Sequence, residues 1–244
     1  MEKFKIIIEY NGKNYCGWQK QTGQSSVQGE LEKAAFNIFS KNVDIVGAGR
    51  TDAGVHAAAQ VAHFCVETDI PVGKIALAFN AHLPLDIAVK KAETVSVDFH
   101  ARYSAKGKKY VYSIYNAGTR PAIFKDFATF IPTKLNIKLM QEAAAAFLGT
   151  HDFAAFMAAG SSVKSTIRTI NYISVVSNGD YIFIAVKGNG FLYNQVRIMA
   201  GTLIEAGKGK ILPEDVSDII KSKKRELAGP TAPPEGLILH EVMY

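Results

Sequence analysis

Apolar and polar residues alternate from the start of the chain. Phe4, Ile6, Ile8 and Tyr10 fall on one side of residues 3–10, the period of a half-buried strand. The period then lengthens: Val27, Leu31, Ala35, Ile38 and Phe39 recur at helical spacing behind a capping-box signal at Ser25 and Gln28, which predicts a helix. Short strands fit 43–46 and 59–66, and Pro71 suits the first turn of a helix running to about His82. Strands near 86–95 and over 109–115 follow. Asn136 to Leu148 has an amphipathic helical pattern with Gly149 as its C-cap. Strands over 167–177 and 180–187 flank Asn178-Gly179, a dipeptide with hairpin turn chemistry. Phe191 to Ala206 reads as a helix stopped by Gly207, Pro213 opens another, and 237–243 closes as a strand. Hairpin-rich order rather than strict strand–helix–strand alternation argues for an α+β protein with a largely antiparallel sheet. No low-complexity linker divides the chain, so one sheet shared by two halves, 1–105 and 106–244, is the expected organisation.

Composition narrows the setting. The 244 residues carry a net charge of +6, which favours a polyanionic partner without establishing one. Two cysteines, Cys16 and Cys65, in a chain of this length indicate a reducing compartment rather than a disulfide scaffold. The segment MEKFKIIIEY has neither the pattern of a signal peptide nor that of a membrane span, so a cytoplasmic protein that does not engage a membrane is expected. No two histidines have the i, i+4 spacing of a metal-binding helix and no CxxC occurs, which argues against a zinc site.

The candidate chemistry begins at GAGRTDAGVHA, Gly47–Ala57. Here Asp52 stands beside Arg50 and Thr51 among Gly47, Gly49 and Gly54, a composition suited to a tight loop that other groups approach closely. Asp52 occupies the place of the third glycine of a dinucleotide fingerprint, where it would repel a pyrophosphate, and a Walker pattern is absent. A nucleotide-dependent oxidoreductase is therefore disfavoured. The bland alternative is a glycine turn with Asp52 capping a helix. Downstream, RYSAKGKKYVYSIY sets Arg102, Lys106, Lys108 and Lys109 among Tyr103, Tyr110, Tyr112 and Tyr115, a mixture suited to phosphates and stacked bases; a solvated lysine cluster on an edge strand is the competing reading. Alternation puts Tyr110 and Tyr112 on one strand face and Lys109 and Val111 on the other. In GNGFLYNQVRIMAG, Arg197 is the one charged side chain of an apolar helix. On that segment alone snorkelling to water is the commoner fate; the alternative is pairing with an acid, Asp52 being a candidate across space. AGPTAPPEGL, Ala228–Leu237, is rigid and turn-rich, as a loop packed over something would be.

Taken together, YNGKNYCGWQKQ, VQGELEKA, GAGRTDAGVHAAAQVAHF, FHARYSAKGKKYVY, FLGTHDFAAF, GNGFLYNQVRIMAGTLIEAG and AGPTAPPEGL, in that order, resemble the tRNA pseudouridine synthase A family nearly end to end. The resemblance implies the pseudouridine synthase fold: α+β, helices packed on one side of a mixed sheet, and a central cleft. It implies isomerisation of uridine to pseudouridine at positions 38 to 40 of the tRNA anticodon arm by a homodimer that uses no organic cofactor and no metal. It places the catalytic aspartate on Asp52, in the first half, and the active-site tyrosine and ion-pairing arginine on Tyr110 and Arg197, in the second. Arg50 resembles the residue that helps displace the target base, and Lys106, Lys108 and Lys109 fall where phosphates would be gripped. After HDF, Ala154-Ala155 and Met157-Ala158-Ala159 replace the more polar residues of the pattern, a departure that bears on RNA contacts. A catalytically inactive RNA-binding paralogue is the alternative function.

The chemistry sets its own demand on these residues. An anionic oxygen is needed at the sugar or the ring, and water must be kept out. Full burial raises an Asp pKa by ~3–5 units, whereas a neighbouring arginine lowers it by ~1–3. The two effects barely cancel. A guanidinium beside Asp52 is thus a requirement of this reading, with loop N–H groups around Gly49–Gly54 supplying the rest.

Overall fold

A computed structural model describes residues 1–160 and 163–244. Contacts divide the chain into two compact units, Met1–Lys106 with Ile238–Tyr244, and Gly107–Leu237. In the first unit the alternating N-terminal stretch is strand β1 (Glu2–Tyr10). Its inward residues Phe4, Ile6, Ile8 and Tyr10 are buried. The helix α1 (Val27–Phe39) follows, capped by Ser26, whose Oγ accepts the Gly29 N–H at 3.2 Å. The capping-box reading was therefore one residue early. Gln28 does not close a box: its amide donates to Ile45 O and Glu32, and its oxygen takes the Lys20 N–H, tying the helix to two neighbouring segments.

Strand β2 (Val46–Gly47) is only two residues long, and β3 (His56–Val66) starts three residues earlier than its apolar run predicts. Pro71 lies just ahead of α2 (Val72–Asn80) with an extended ψ of 137°, rather than in its first turn. Strand β4 (Ile87–Thr94) completes this part. β1 lies between β3 and β4, antiparallel to both, with Phe4 opposite Phe64 and Tyr10 opposite Ala57. Phe4, Phe64, Phe39 and Phe79 meet ring to ring at 5.5–6.2 Å and join β1, β3, α1 and α2 into one core.

The second unit opens with β5 (Gly107–Tyr115) and β6 (Thr129–Phe130), which run parallel. Then come α3 (Ile137–Ala145), β7 (Gly149–Asp152), β8 (Ile167–Asn178) and β9 (Tyr181–Gly188). β9 pairs antiparallel with both β5 and β8, and β7 borders β8. The β8–β9 turn is the predicted one, with Gly179 at φ 57°. Helix α4 (Gln195–Gly207) begins four residues later than its apolar pattern suggests. The cause is local: Leu192 donates to the Gln195 side chain, Gln195 N–H returns to Leu192 O, and Asn194 adopts a left-handed φ of 59°. Helix α5 (Asp215–Ser222) follows.

Ala228–Leu237 does lie over something: Gly229 N–H donates to Thr202 Oγ1 at 2.9 Å on α4, and a Cβ on Gly201 would stand 1.8 Å from Pro230 O. Strand β10 (Leu237–Met243) returns to the first unit, parallel to β3, with Ile238 opposite His56. The ten strands and five helices among the described residues make a mixed α+β protein. No described helix is long and apolar enough to cross a membrane.

Gly201 provides a direct check on this packing. Gly201→Ala forces backbone apart where no flexible side chain can yield, so a loss of about 1–3 kcal/mol is expected, read as a lowered urea midpoint with unchanged slope. A wild-type midpoint would mean that the 228–237 segment is not seated on α4.

Candidate active site

The loop that carries Asp52 is shaped by what surrounds it. β3 follows directly after Val55, so Asp52 has no helix to cap, and that bland reading falls. Thr51 is buried, and its hydroxyl meets the Tyr10 hydroxyl at 2.8 Å. Trp18 N–H donates to Thr51 O at 3.1 Å, and Gly54 N–H donates to Tyr15 O at 3.3 Å. Val55 N–H closes a turn on the main-chain oxygen of Asp52 at 3.1 Å. Gln60, fully buried on β3, donates to Gly49 O at 2.9 Å. His56 accepts the Gly12 N–H on Nδ1 at 3.0 Å, which leaves the ring proton on Nε2. Gly17, at φ 106°, permits this seating: a Cβ there would lie 2.4 Å from Thr51 O. Asp52 is thus half-buried on a loop fixed from both sides.

Arg50 is exposed, with Nε donating to Gln19 Oε1 at 3.2 Å. Burial pushes the Tyr10 hydroxyl up to about 12, against the smaller opposing pull of its hydrogen bonds to Thr51 and Gln60.

Tyr110 and Arg197 both belong to the second unit. Tyr110 is nearly buried on β5, with the Phe191 ring meeting it edge-on at 5.1 Å and 88°. Tyr112, on the same face, is fully buried; its hydroxyl lies 2.6 Å from Thr129 Oγ1 and donates to Pro233 O at 2.9 Å. Burial raises its pKa, with Glu235 adding to the rise and Arg197 opposing it. Arg197 does not run out to water. It is half-buried, Nε donates to Ala232 O at 2.8 Å, and Nη1 donates to Asn194 Oδ1 at 2.8 Å. Two donors held at fixed points set the plane of the guanidinium. Glu205, the acid nearest along the helix, is bound by Lys208 and Lys210 instead.

Lys106 is exposed at the end of the first unit, its N–H on Met243 O, whereas Lys108 and Lys109 are half-buried on β5, with Lys109 opposite Lys187. Asp152 of the HDF segment is bonded to Lys223 at 2.8 Å and to Thr166 and the Ala154 N–H. These bonds, Lys223 first, hold its carboxyl below the usual range.

The residues that fix the loop, Tyr10, Gly17, Trp18, His56 and Gln60, escaped the sequence reading as site residues. Gln60 was the visible signal, the one polar side chain of the apolar run AAAQVA, residues 57–62. Tyr10 gave none, since its inward position looks like that of any core aromatic.

The family model described as tRNA pseudouridine synthase matches residues 6–104 and 143–244. Proteins called tRNA pseudouridine synthase A from Acetivibrio thermocellus and Thermoanaerobacter sp. are each 48% identical over 244 residues, and one from Clostridium botulinum is 47% identical; each match covers 100% of both chains. Among solved structures, one of a Cbf5-Nop10-Gar1 complex is similar at 15% identity and a TM-score of 0.34, covering 82% of this chain and 53% of that one. The chain belongs to the tRNA pseudouridine synthase family.

Tyr10 gives this loop a pH signature. Its folded pKa lies above the unfolded value near 10, so the stability it contributes is complete below about pH 10 and is lost as pH rises toward 12. In spectrophotometric titration Tyr10→Phe should remove one late-ionising phenol, and folding stability, lower at neutral pH, should fall less steeply between pH 10 and 12. A late-titrating population unchanged by Tyr10→Phe would contradict the buried Tyr10–Thr51 bond.

Proposed function

We propose that this chain isomerises uridine to pseudouridine in the tRNA anticodon arm, at positions 38 to 40, with Asp52 acting directly on the target nucleoside. The observation that carries the residue assignment is the Asp52 loop itself: one half-buried carboxylate on a backbone fixed by Tyr10, Trp18, Tyr15 and Gln60. The class of reaction is supported by full-length relatives with 48% identity.

The reaction breaks the ribose C1′–N1 bond and forms C1′–C5; C5 loses a proton and N1 gains one, so nothing is oxidised or reduced. An anionic oxygen serves by attacking C1′, by attacking C6, or by taking the C2′ proton. Every route needs Asp52 ionised. In this reading Arg197 supplies the cation. The bonds to Ala232 and Asn194 support it, because an oriented planar fork grips a carboxylate in a way an ammonium cannot. In the same reading Tyr110, steadied by Phe191, offers a flat face to the detached uracil, and its hydroxyl is assigned the C5 proton. Stacking there is worth ~1–3 kcal/mol, comparable to the cost of unstacking a nucleotide. Arg50 takes the space the nucleotide leaves. Lys106, Lys108 and Lys109 serve phosphates, which makes binding salt-dependent. A homodimer in the cytoplasm, working without metal or organic cofactor, completes the proposal.

Purified protein incubated with unmodified tRNA transcript should give carbodiimide-dependent primer-extension stops in the anticodon arm. Stops absent despite tight binding would favour an inactive RNA-binding paralogue. Asp52→Asn should abolish the stops while tRNA affinity stays within severalfold; retained turnover would remove Asp52 from the chemistry. Arg197→Lys should lose activity with a modest change in folding stability, and an active variant would reject the ion-pair role. For Tyr110→Phe a slower rate is expected, and an unchanged one would take the hydroxyl out of proton transfer.

A further inference from the structure

Beyond the residues assigned above, the first unit presents an aromatic that its own core does not use. Tyr103 is 78% exposed, yet it is not loosely hung. Its ring lies 4.3 Å from that of His100 with 32° between the planes, and His100 in turn lies 4.8 Å from buried His63 on β3. His100 Nδ1 accepts the N–H groups of Arg102 and Tyr103, and its own N–H donates to Ser104 Oγ. Ser104 N–H donates to His100 O, Ala101 N–H to His63 Nδ1, and the Tyr244 hydroxyl to Ala101 O. Six hydrogen bonds therefore fix a five-residue turn whose outermost group is a phenol ring facing water. Rigid presentation of a large exposed aromatic does little for a core. It does serve a ligand with a flat face, because the ordering entropy is met on folding rather than on binding.

The surroundings name the ligand class. Arg102, with Cζ 5.8 Å from the Tyr103 ring, and Lys106 are both exposed, and Asp98 is the single acid of residues 96–106. An aromatic platform flanked by cations is the arrangement that holds a base and its phosphate. The position separates it from the reacting centre. His63 lies seven residues beyond His56 along β3, roughly 23 Å at about 3.3 Å per residue. Asp52 lies at the His56 end, where Thr51 meets Tyr10 opposite Ala57.

We propose that Tyr103, backed by His100 and His63, is a base-stacking platform for an unpaired nucleobase of the bound tRNA remote from the target uridine, with Arg102 taking the adjoining phosphate. The proposal rests on tRNA being the substrate. The platform contributes to affinity and to register on the RNA, not to the isomerisation step.

The test is tRNA binding and modification by Tyr103→Ala, Tyr103→Phe and Tyr103→Trp, with native circular dichroism confirmed for each. Tyr103→Ala should weaken binding on the order of tenfold and raise the half-saturating tRNA concentration equally, while the rate at saturation stays within twofold. Tyr103→Phe and Tyr103→Trp keep a flat face and should match the wild type. Loss of stacking should leave the salt dependence of binding unchanged, whereas Arg102→Gln should lower that slope by about 0.7–0.9, as for one phosphate contact. Wild-type binding by Tyr103→Ala, or weakening of the same size by Tyr103→Phe, overturns the proposal and leaves the isomerase reading intact. Failure of the wild-type protein to bind tRNA overturns both.

Discussion

The structure around Asp52 depends on one buried contact, the Tyr10 hydroxyl on the Thr51 side chain. β1 ends at Tyr10 and β3 begins at His56, and the loop between β2 and β3 has to be held against both. A carboxylate on a free loop would sample many positions, and positioning is worth several powers of ten in rate. Here the residue before Asp52 is buried and its carbonyl is bonded to Trp18 N–H, while Gln60 holds Gly49. Gly17 makes the approach possible by presenting no side chain to the Thr51 carbonyl. The acid is presented to its surroundings while its backbone is kept from moving.

The second unit solves a different problem, that of keeping a guanidinium oriented within an apolar helix. α4 is buried on nearly every side, and an arginine there would either escape to water or need fixed acceptors. The Ala228–Leu237 segment supplies one of them. It is anchored on α4 by Gly229 and Thr202, exchanges main-chain and side-chain bonds between Ala232 and Arg197, and presents Pro233 O to Tyr112. A proline- and glycine-rich strap suits this task, since few of its own amides need partners and its conformation is largely set.

Much of this was legible in the residues themselves. The period of two in β1 and the Asn-Gly hairpin rest on local sterics, which act within a few residues. What failed was also physical. Ser25 and Ser26 are equally good caps, and pairings from outside the helix decide between them: Ser25 O takes the Cys16 N–H, while the Val27 and Gln28 N–H groups go to Gly17 O and Trp18 O. Phe191 to Asn194 looks helical by hydrophobicity, but Gln195 bonds back to Leu192 and delays α4. Asp52 was legible only as a candidate, the one carboxylate of a glycine-bearing loop, with a plain glycine turn as the competing reading. Its supports were not, because Tyr10 and Gly17 act through chain crossings that spacing does not encode. Arg197 read as a snorkelling side chain because its acceptors, Ala232 and Asn194, include one 35 residues away.

The chemistry proposed for Asp52 needs its loop fixed before substrate arrives, and Gly17 reports on that most directly. Single-turnover isomerisation can be measured with tRNA carrying tritium at uridine C5, which is released as C5 bonds to C1′. For Gly17→Ala, in protein with native circular dichroism, the rate is expected to fall by roughly 10²-fold while tRNA affinity stays within severalfold. A folded Gly17→Ala protein that releases tritium at the wild-type rate would contradict the claim that the seating of this loop places Asp52 for reaction.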